Sequence, residues 1–482
     1  MYRNAQPRAG VVLAAVAVAQ FAVALDLSVV NVALPAMRTA LGFAPVDLSW
    51  VVHVYALTLG GFLLLGGRAC DLFGRRRLFV IGLIMFGLCS LAGGLAQEPW
   101  QLIAARAGQG LGAAAAVPAT LAMLTTTFTE GPQRVRALGV WSGVNAAGGA
   151  LGVLAGGLLT QYAGWRWVML INLPIVALAL AFVAVGVPAD TRPARRDRLD
   201  VLGSVLATGG VGLLVFTVVR TDTQGWGAPE TWGMLTAAAV LLAGFVITES
   251  RASAPLLRLG LLRSRWVAGA NVLVFFSTAG QFAAFYFVSL YMQQVLAMGP
   301  AATGSAFLPF SGCLIAGSIV ATKITAAHTP RTVLVPGALL AAAGLGWFAF
   351  ISPDGSFLTD VLGPCIVTGL GVGLVIAPIV AAATTGVAAR EAGMASGLMN
   401  SSRQLGGCIG LAVLATIAAQ HTGTATGPVA LNDGYALGLV IAAALFALAA
   451  VVAIVALPRT RPASPAPQPP AAVEQQLEGT SS

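Results

Sequence analysis

The feature that most constrains this chain is a repeated one. Long apolar runs recur along all but its ends, at approximately 10–34, 50–66, 78–96, 101–124, 137–160, 167–187, 201–219, 232–248, 266–290, 303–322, 332–351, 361–383, 394–418 and 435–457. Most come close to the roughly 20 residues that carry a helix across a hydrocarbon core about 30 Å thick. Backbone polar groups in lipid have to be satisfied within their own segment, so runs of this kind are read as helices. The chain is 57% hydrophobic and only 9% charged, whereas soluble domains carry about 25% charged residues. The expectation is an all-α integral membrane protein with fourteen transmembrane helices.

A net charge of +9 raises nucleic acid as a partner, but the basic residues are strung through short connections and not gathered on one face. The lipid bilayer is the expected surroundings. With the N-terminus placed in the cytoplasm, twenty-one of the 26 basic residues fall inside. Arg38, Arg166 and Arg220 fall outside, and Arg106 and Arg403 fall within spans. Such a bias supports an even span count and two cytoplasmic termini. All but one of the basic residues are Arg, and Ala and Gly abound, which suits a GC-rich bacterial genome and so a bacterial cytoplasmic membrane. The five cysteines show no disulfide or metal spacing and read as packing residues.

The longest inside connections, 188–200 and 249–265, flank the seventh and eighth spans. The implied organisation is a cytoplasmic N-terminus (1–9), a six-helix bundle (10–187), linkers with a two-helix insert (188–265), a second six-helix bundle (266–457) and a Pro- and Gln-rich tail (458–482) without the makings of a core.

One acid lies well inside a span, Asp26 in "QFAVALDLSVVNVALP". Ala15, Ala19, Ala22, Asp26, Val30 and Ala33 share one helical face at steps of three and four. That face can pack against another helix or line a narrow cavity. Asp26 could be a strut paired with an Arg, or a proton carrier, a usual role for an acid inside a membrane. Arg106 opens "RAGQGLGAAAAVP", where it either faces a cavity or an acid, or snorkels to the nearby interface. "GGRACDLFGRRR" combines Gly67 for close packing, Asp71 to cap a helix N-terminus or bind an Arg across a seam, Gly74 for a turn, and Arg75 and Arg76 at the inner leaflet; a plain basic stop-transfer loop reads the same way. "GGALGVLAGG" sets Gly148, Gly152 and Gly156, with Gly157 following, on a helix face stripped of side chains. His53 is a packing histidine or a cavity residue. Arg403 lies in the cavity or near the inner end of its span, bonded to carbonyls. Val30, His53, Asn145, Gln281, Asn400 and Arg403 are the candidate cavity lining.

These stretches carry a resemblance. The Gly67-x3-Asp71-x2-Gly74-Arg75-Arg76 spacing resembles the signature of the major facilitator superfamily, and Arg106-x2-Gln109-Gly110 resembles its fourth-span pattern. Residues 148–157 resemble its antiporter motif Gly-x3-Gly-Pro-x2-Gly-Gly, with Val153 standing where the motif has Pro. "LDLSVVNVALP", "WVVHVYALT" (with His53 where a small polar residue is commoner), "WRWVMLINLPI" and "GLMNSSRQLGGCIGLAVL" resemble the fourteen-span drug:proton antiporter family, and the likeness covers residues 10 to about 457. The resemblance implies a major facilitator fold, two six-helix bundles plus a two-helix insert, with Arg106 in proton transfer and residues 67–76 as an inner gate latch; Asp26, the one acid well inside a span, is the expected proton carrier beside it. It implies a monomer exporting small amphipathic compounds, drugs or natural-product antibiotics, against incoming protons. The proton motive force would supply the energy with no cofactor: no Gly-x4-Gly-Lys-Ser/Thr loop, catalytic triad or metal cluster occurs in the sequence. Alternatives are an uncoupled facilitator or metabolite exporter, which has no need of Asp26, and a membrane sensor or scaffold, which would need a soluble receiver domain.

Overall fold

The computed structural model describes residues 9–44, 47–128, 132–187, 201–251, 259–387, 392–423 and 427–458. The 188–200 linker and the tail beyond 458 lie outside them. The α-helices are α1 (Ala9–Leu41), α2 (Trp50–Phe73), α3 (Arg75–Gly94), α4 (Pro99–Thr127), α5 (Pro132–Tyr162), α6 (Arg166–Leu170), α7 (Asn172–Gly186), α8 (Val201–Gln224), α9 (Pro229–Arg251), α10 (Arg265–Leu290), α11 (Pro300–Ala306), α12 (Leu308–Ala327), α13 (Pro330–Trp347), α14 (Leu362–Thr384), α15 (Ala392–Thr422) and α16 (Pro428–Ala456). Fourteen helical stretches are long and apolar enough to cross a membrane, and each matches one expected span.

The helices outrun the apolar runs that announced them. Proline stands at the first turn of α4, α11, α13 and α16, where its missing N–H costs nothing. Some spans are broken. The sixth is interrupted at Ile171 between α6 and α7, and the tenth at Phe307 between α11 and α12. A π-turn over Tyr291–Val295 extends α10, and another over Phe357–Val361 leads into α14.

The stretch 66–77 is a correction. It was expected as a loop, with Asp71 able to cap a helix N-terminus. Instead α2 runs on to Phe73 and α3 begins at Arg75, so Gly74 alone separates them. Gly74 has φ of 99°, a region that glycine enters without strain. Asp71 sits in the last turn of α2, and the N-cap of α3 is Gly74, with no side-chain cap.

Two bundles emerge from the packing. In the first, α1 lies against α5, α7 and α4, while α4 also packs on α2 and α3. In the second, α10 lies against α15 and α16, and α14 against α12 and α13. The insert helix α8 packs on α9 and reaches both α2 and α15. Glycine faces set these distances. Gly148, Gly152 and Gly156 of α5 meet Phe21, Leu25 and Val29 of α1 one turn at a time, and a Cβ on Gly152 would stand 2.7 Å from the Leu25 carbonyl oxygen. Small residues that bring backbones together are how helices gain contact in lipid, where apolar burial gives no drive.

The bundles touch along α2 and α15, and also at the end of the molecule where α1 finishes. There Ser289 donates to the Asn31 carbonyl at 3.4 Å, Gln293 to the Val32 carbonyl at 3.2 Å, and the Ala301 amide to Gln161 at 3.0 Å. Within the second bundle, Phe285 of α10 stacks on Phe307 and meets Phe310 of α12 edge-on. Gly139, Gly143 and Gly157 share one face of α5. Gly157 abuts Pro300 and Gly304 of the second bundle, whereas a Cβ on Gly139 or Gly143 would meet nothing within 4 Å. The face between bundles is therefore closed at one end and uncovered toward the other.

Candidate functional site

Among the described residues, Asp26 is the most deeply placed acid. The longer helices take in Asp71, Asp222, Glu230, Glu249, Asp360 and Asp433, but these stand within about two turns of an element's end. Asp26 lies in the middle of α1 and is wholly buried. The small-residue face that carries it is buried throughout: Ala15, Ala19, Ala22, Val30 and Ala33 all have 1% exposure or less. That face turns into the first bundle.

Arg106 of α4 reaches Asp26 and forms a salt bridge with its Oδ2 at 2.5 Å, with both side chains shut away from the surface. The snorkelling alternative for Arg106 is thereby replaced by a pair across two helices. Arg106 also donates from Nε to the Val51 carbonyl at 3.0 Å and from Nη1 to Gln109 Oε1 at 3.1 Å, and its guanidinium lies 4.2 Å from the Tyr55 ring centroid. The second carboxylate oxygen of Asp26 accepts from Gln109 Nε2 at 3.1 Å and from Asn172 Nδ2 at 2.8 Å. The hydroxyl of Ser90 ties these together. It accepts from Gln109 and Asn172, each at 2.9 Å, and donates to the Met169 carbonyl at 2.8 Å. Asp26, Ser90, Arg106, Gln109 and Asn172 thus come from α1, α3, α4 and α7, all at 1% exposure or less. A carboxylate with one charged and two neutral donors is satisfied in this state, and a proton arriving there would have to displace Arg106 from it.

Of the remaining candidates, Val30 and His53 are buried and line no open space in this conformation. His53 sits on the α2–α15 seam, with Nδ1 3.9 Å from Cys408 Sγ and its ring edge-on to Trp50. Asn145 of α5 accepts from Gln20 of α1 at 2.7 Å and belongs to the α1–α5 contact. Gln281 on α10 and Asn400 and Arg403 on α15 are half-buried. Among the described residues no carbonyl accepts from the Arg403 side chain; its own carbonyl accepts from Thr278 at 2.9 Å. Gly67 is next to Pro118, and Arg75 and Arg76 open α3. Val153, which stands where the antiporter motif has Pro, is buried, and its carbonyl abuts Gly304 of α11. Ser90, Gln109, Asn172, Tyr55 and Gln20 were missed as site residues.

A model of the Major Facilitator Superfamily matches residues 16–411. The chain belongs to this superfamily. Its relatives within the superfamily include the puromycin resistance protein pur8 of Streptomyces alboniger, 39% identical over 453 residues that cover 92% of this chain and 90% of the relative. The cephamycin export protein CmcT of Amycolatopsis lactamdurans is 41% identical, covering 93% and 92%. Among solved structures, a bacterial homologue of the human lysosomal transporter Spinster shares the fold with a TM-score of 0.68 at 16% identity, covering 94% of this chain and 98% of that one. The chain is therefore a non-enzymatic major facilitator transporter of fourteen spans, with two six-helix bundles and a two-helix insert.

Proposed function

We propose that this transporter is a proton-coupled antiporter. It exports small amphipathic compounds, natural-product antibiotics among them, across the cytoplasmic membrane of a bacterium. The observation that carries the coupling is the buried Asp26–Arg106 pair held by Gln109, Asn172 and Ser90. It joins α1, which contacts the second bundle at the closed end, to α3, α4 and α7 behind it. A proton on Asp26 removes the charge that holds Arg106, so α1 and α4 are released from one another as the bundles rock. The relatives that export or resist antibiotics support the substrate class.

Both termini are cytoplasmic in this reading, and the uncovered end of the α5 face opens inward. The units are 10–187, 188–265 and 266–457, working as a monomer, with Gly67, Asp71, Gly74, Arg75 and Arg76 as the latch at the inner end of α2 and α3. The energetics restrict substrate charge. One charge across 100 mV is worth ~2.3 kcal/mol, and one pH unit adds ~1.4 kcal/mol. A single deep carboxylate carries one proton per cycle, enough for neutral or singly charged compounds. A dication exchanged for one proton would move net charge against the potential, so rigid dications should be poorly exported.

The test is a panel of antibiotics and dyes applied to cells lacking their native pumps, with and without this protein. Protection against neutral and singly charged amphiphiles, abolished by a protonophore, is expected. Unaltered sensitivity to the whole panel, or protection indifferent to the protonophore, would refute the reading.

A further inference from the structure

Arg403 is a second intramembrane arginine, and the coupling network does not use it. It stands roughly 16 Å along α15 from Ala392, at 1.5 Å per residue. Its neighbours on α15 fix where it points. Ser402 and Gly406 face α10, through Asn271 and Phe275. Gln404 and Cys408 face α2, through Gly60 and His53. Leu405 and Ile409 turn toward α8. The remaining sector holds Arg403, with Asn400 one turn before it and Gly407 against the Phe282 ring of α10, and it points away from α8. Gln281 stands on α10 one turn beyond Thr278, whose hydroxyl meets the Arg403 carbonyl.

This group lacks what Arg106 has. Among the described residues no carboxylate, carbonyl or aromatic ring receives the Arg403 guanidinium, and none receives the Gln281 amide. Among the described residues Asn400 bonds to its own helix alone, at the Ser396 carbonyl. An arginine inside the membrane with no protein acceptor is costly unless water or an anionic guest meets it. A guanidinium with one carboxamide a turn before it on α15 and another on the neighbouring α10 suits a carboxylate, which accepts from a fork and from neutral donors together.

We propose that Arg403, with Asn400 and Gln281, is an anion-recognising subsite that selects amphipathic substrates bearing one carboxylate. The inference rests on the export reading above and narrows its substrate class. It also fits the direction of transport. An outgoing monoanion exchanged for an incoming proton moves two charges in the favourable direction, so the membrane potential assists export twice.

The experiment measures equilibrium binding to purified protein in zwitterionic-lipid nanodiscs, with no gradient present. The probes are dansyl-amino acids of increasing apolarity, each paired with its methyl ester. Wild type should bind the acids at least tenfold more tightly than the esters. Arg403→Gln should lose that preference while ester affinity changes less than threefold, and Arg403→Lys should keep part of it. Monodispersity and an unchanged thermal midpoint in Arg403→Gln certify its fold, and the Lys variant stands in should that fail. The proposal is overturned if wild type prefers the esters or binds neither set, or if Arg403→Gln keeps the acid preference. It is also overturned if nanodiscs rich in anionic lipid abolish acid binding by wild type, which would make a headgroup the occupant. Because no proton gradient enters the measurement, loss of coupling at Asp26 leaves it unaffected, so the two readings fail separately.

Discussion

Replacing Arg106 by Gln should destabilise the protein, and neutralising Asp26 as well should restore much of the loss. Arg106 makes the salt bridge to Asp26, hydrogen bonds to Val51 and Gln109, and a cation–π contact with Tyr55. Without it, Asp26 keeps only the neutral donors Gln109 and Asn172. Removing one partner of a buried pair costs about 3–5 kcal/mol. The lower end applies here, because the abandoned carboxyl can shed its charge by taking a proton, so the expected loss is ~3 kcal/mol. At about 2 °C per kcal/mol for a large domain, the thermal midpoint should fall by roughly 6 °C. In Asp26→Asn/Arg106→Gln the charges are gone together, and about 2 kcal/mol should return. The assay is tryptophan fluorescence on heating in detergent, for wild type, both single variants and the double variant. Additive effects, with the double variant less stable than either single one, would refute the pairing. Proton-coupled export by a restored double variant would show the pair to be a strut and nothing more.

Two other outcomes follow from the packing and the charge distribution. Gly152→Leu places a side chain against the Leu25 backbone, where even a Cβ would stand 2.7 Å from the carbonyl oxygen; overpacking of this kind costs at least ~1–3 kcal/mol. Membrane insertion should survive and export should be lost, and wild-type export would mean that the α1–α5 contact is dispensable. Cysteines at Glu230, before which lies the α8–α9 turn, and at His328, after α12, should differ in a cysteine-free background. An impermeant thiol reagent on intact cells should label the first and spare the second, and the reverse would invert the orientation.

The number of spans was legible in the sequence because length and apolarity alone decide it. The breaks at Ile171 and Phe307 were marked only by Pro174 and Pro309 just beyond them, which hydropathy along "WVMLINLPI" and "GSAFLPF" does not register, and the π-turns escape it as well. Asp26 announced itself as a charge among small residues, and Arg106 as a charge at the start of its span. That they meet depends on α1 lying against α4, which periodicity on one helix does not report. Gln109 and Asn172 sat within stretches already singled out, in Arg-x2-Gln-Gly and in "WRWVMLINLPI", but an amide near glycine or at a helix start has many ordinary uses. Ser90 carried no signal at all; only the convergence of α3, α4 and α7 on Asp26 gives it one. The stretch 66–77 misled for a local reason: its charges read as a loop, yet one residue at positive φ lets two helices nearly abut.

The central claim is that Asp26 carries the proton, and the direct measurement is substrate-driven proton flux in proteoliposomes loaded with a pH dye. Wild type should move protons when an exported substrate is supplied and should export uphill when a pH gradient is imposed. Asp26→Asn should do neither, while still binding substrate and exchanging it down its gradient, since the amide resembles the protonated acid in shape and takes up no proton. Uphill, proton-coupled transport that survives in Asp26→Asn would contradict the account.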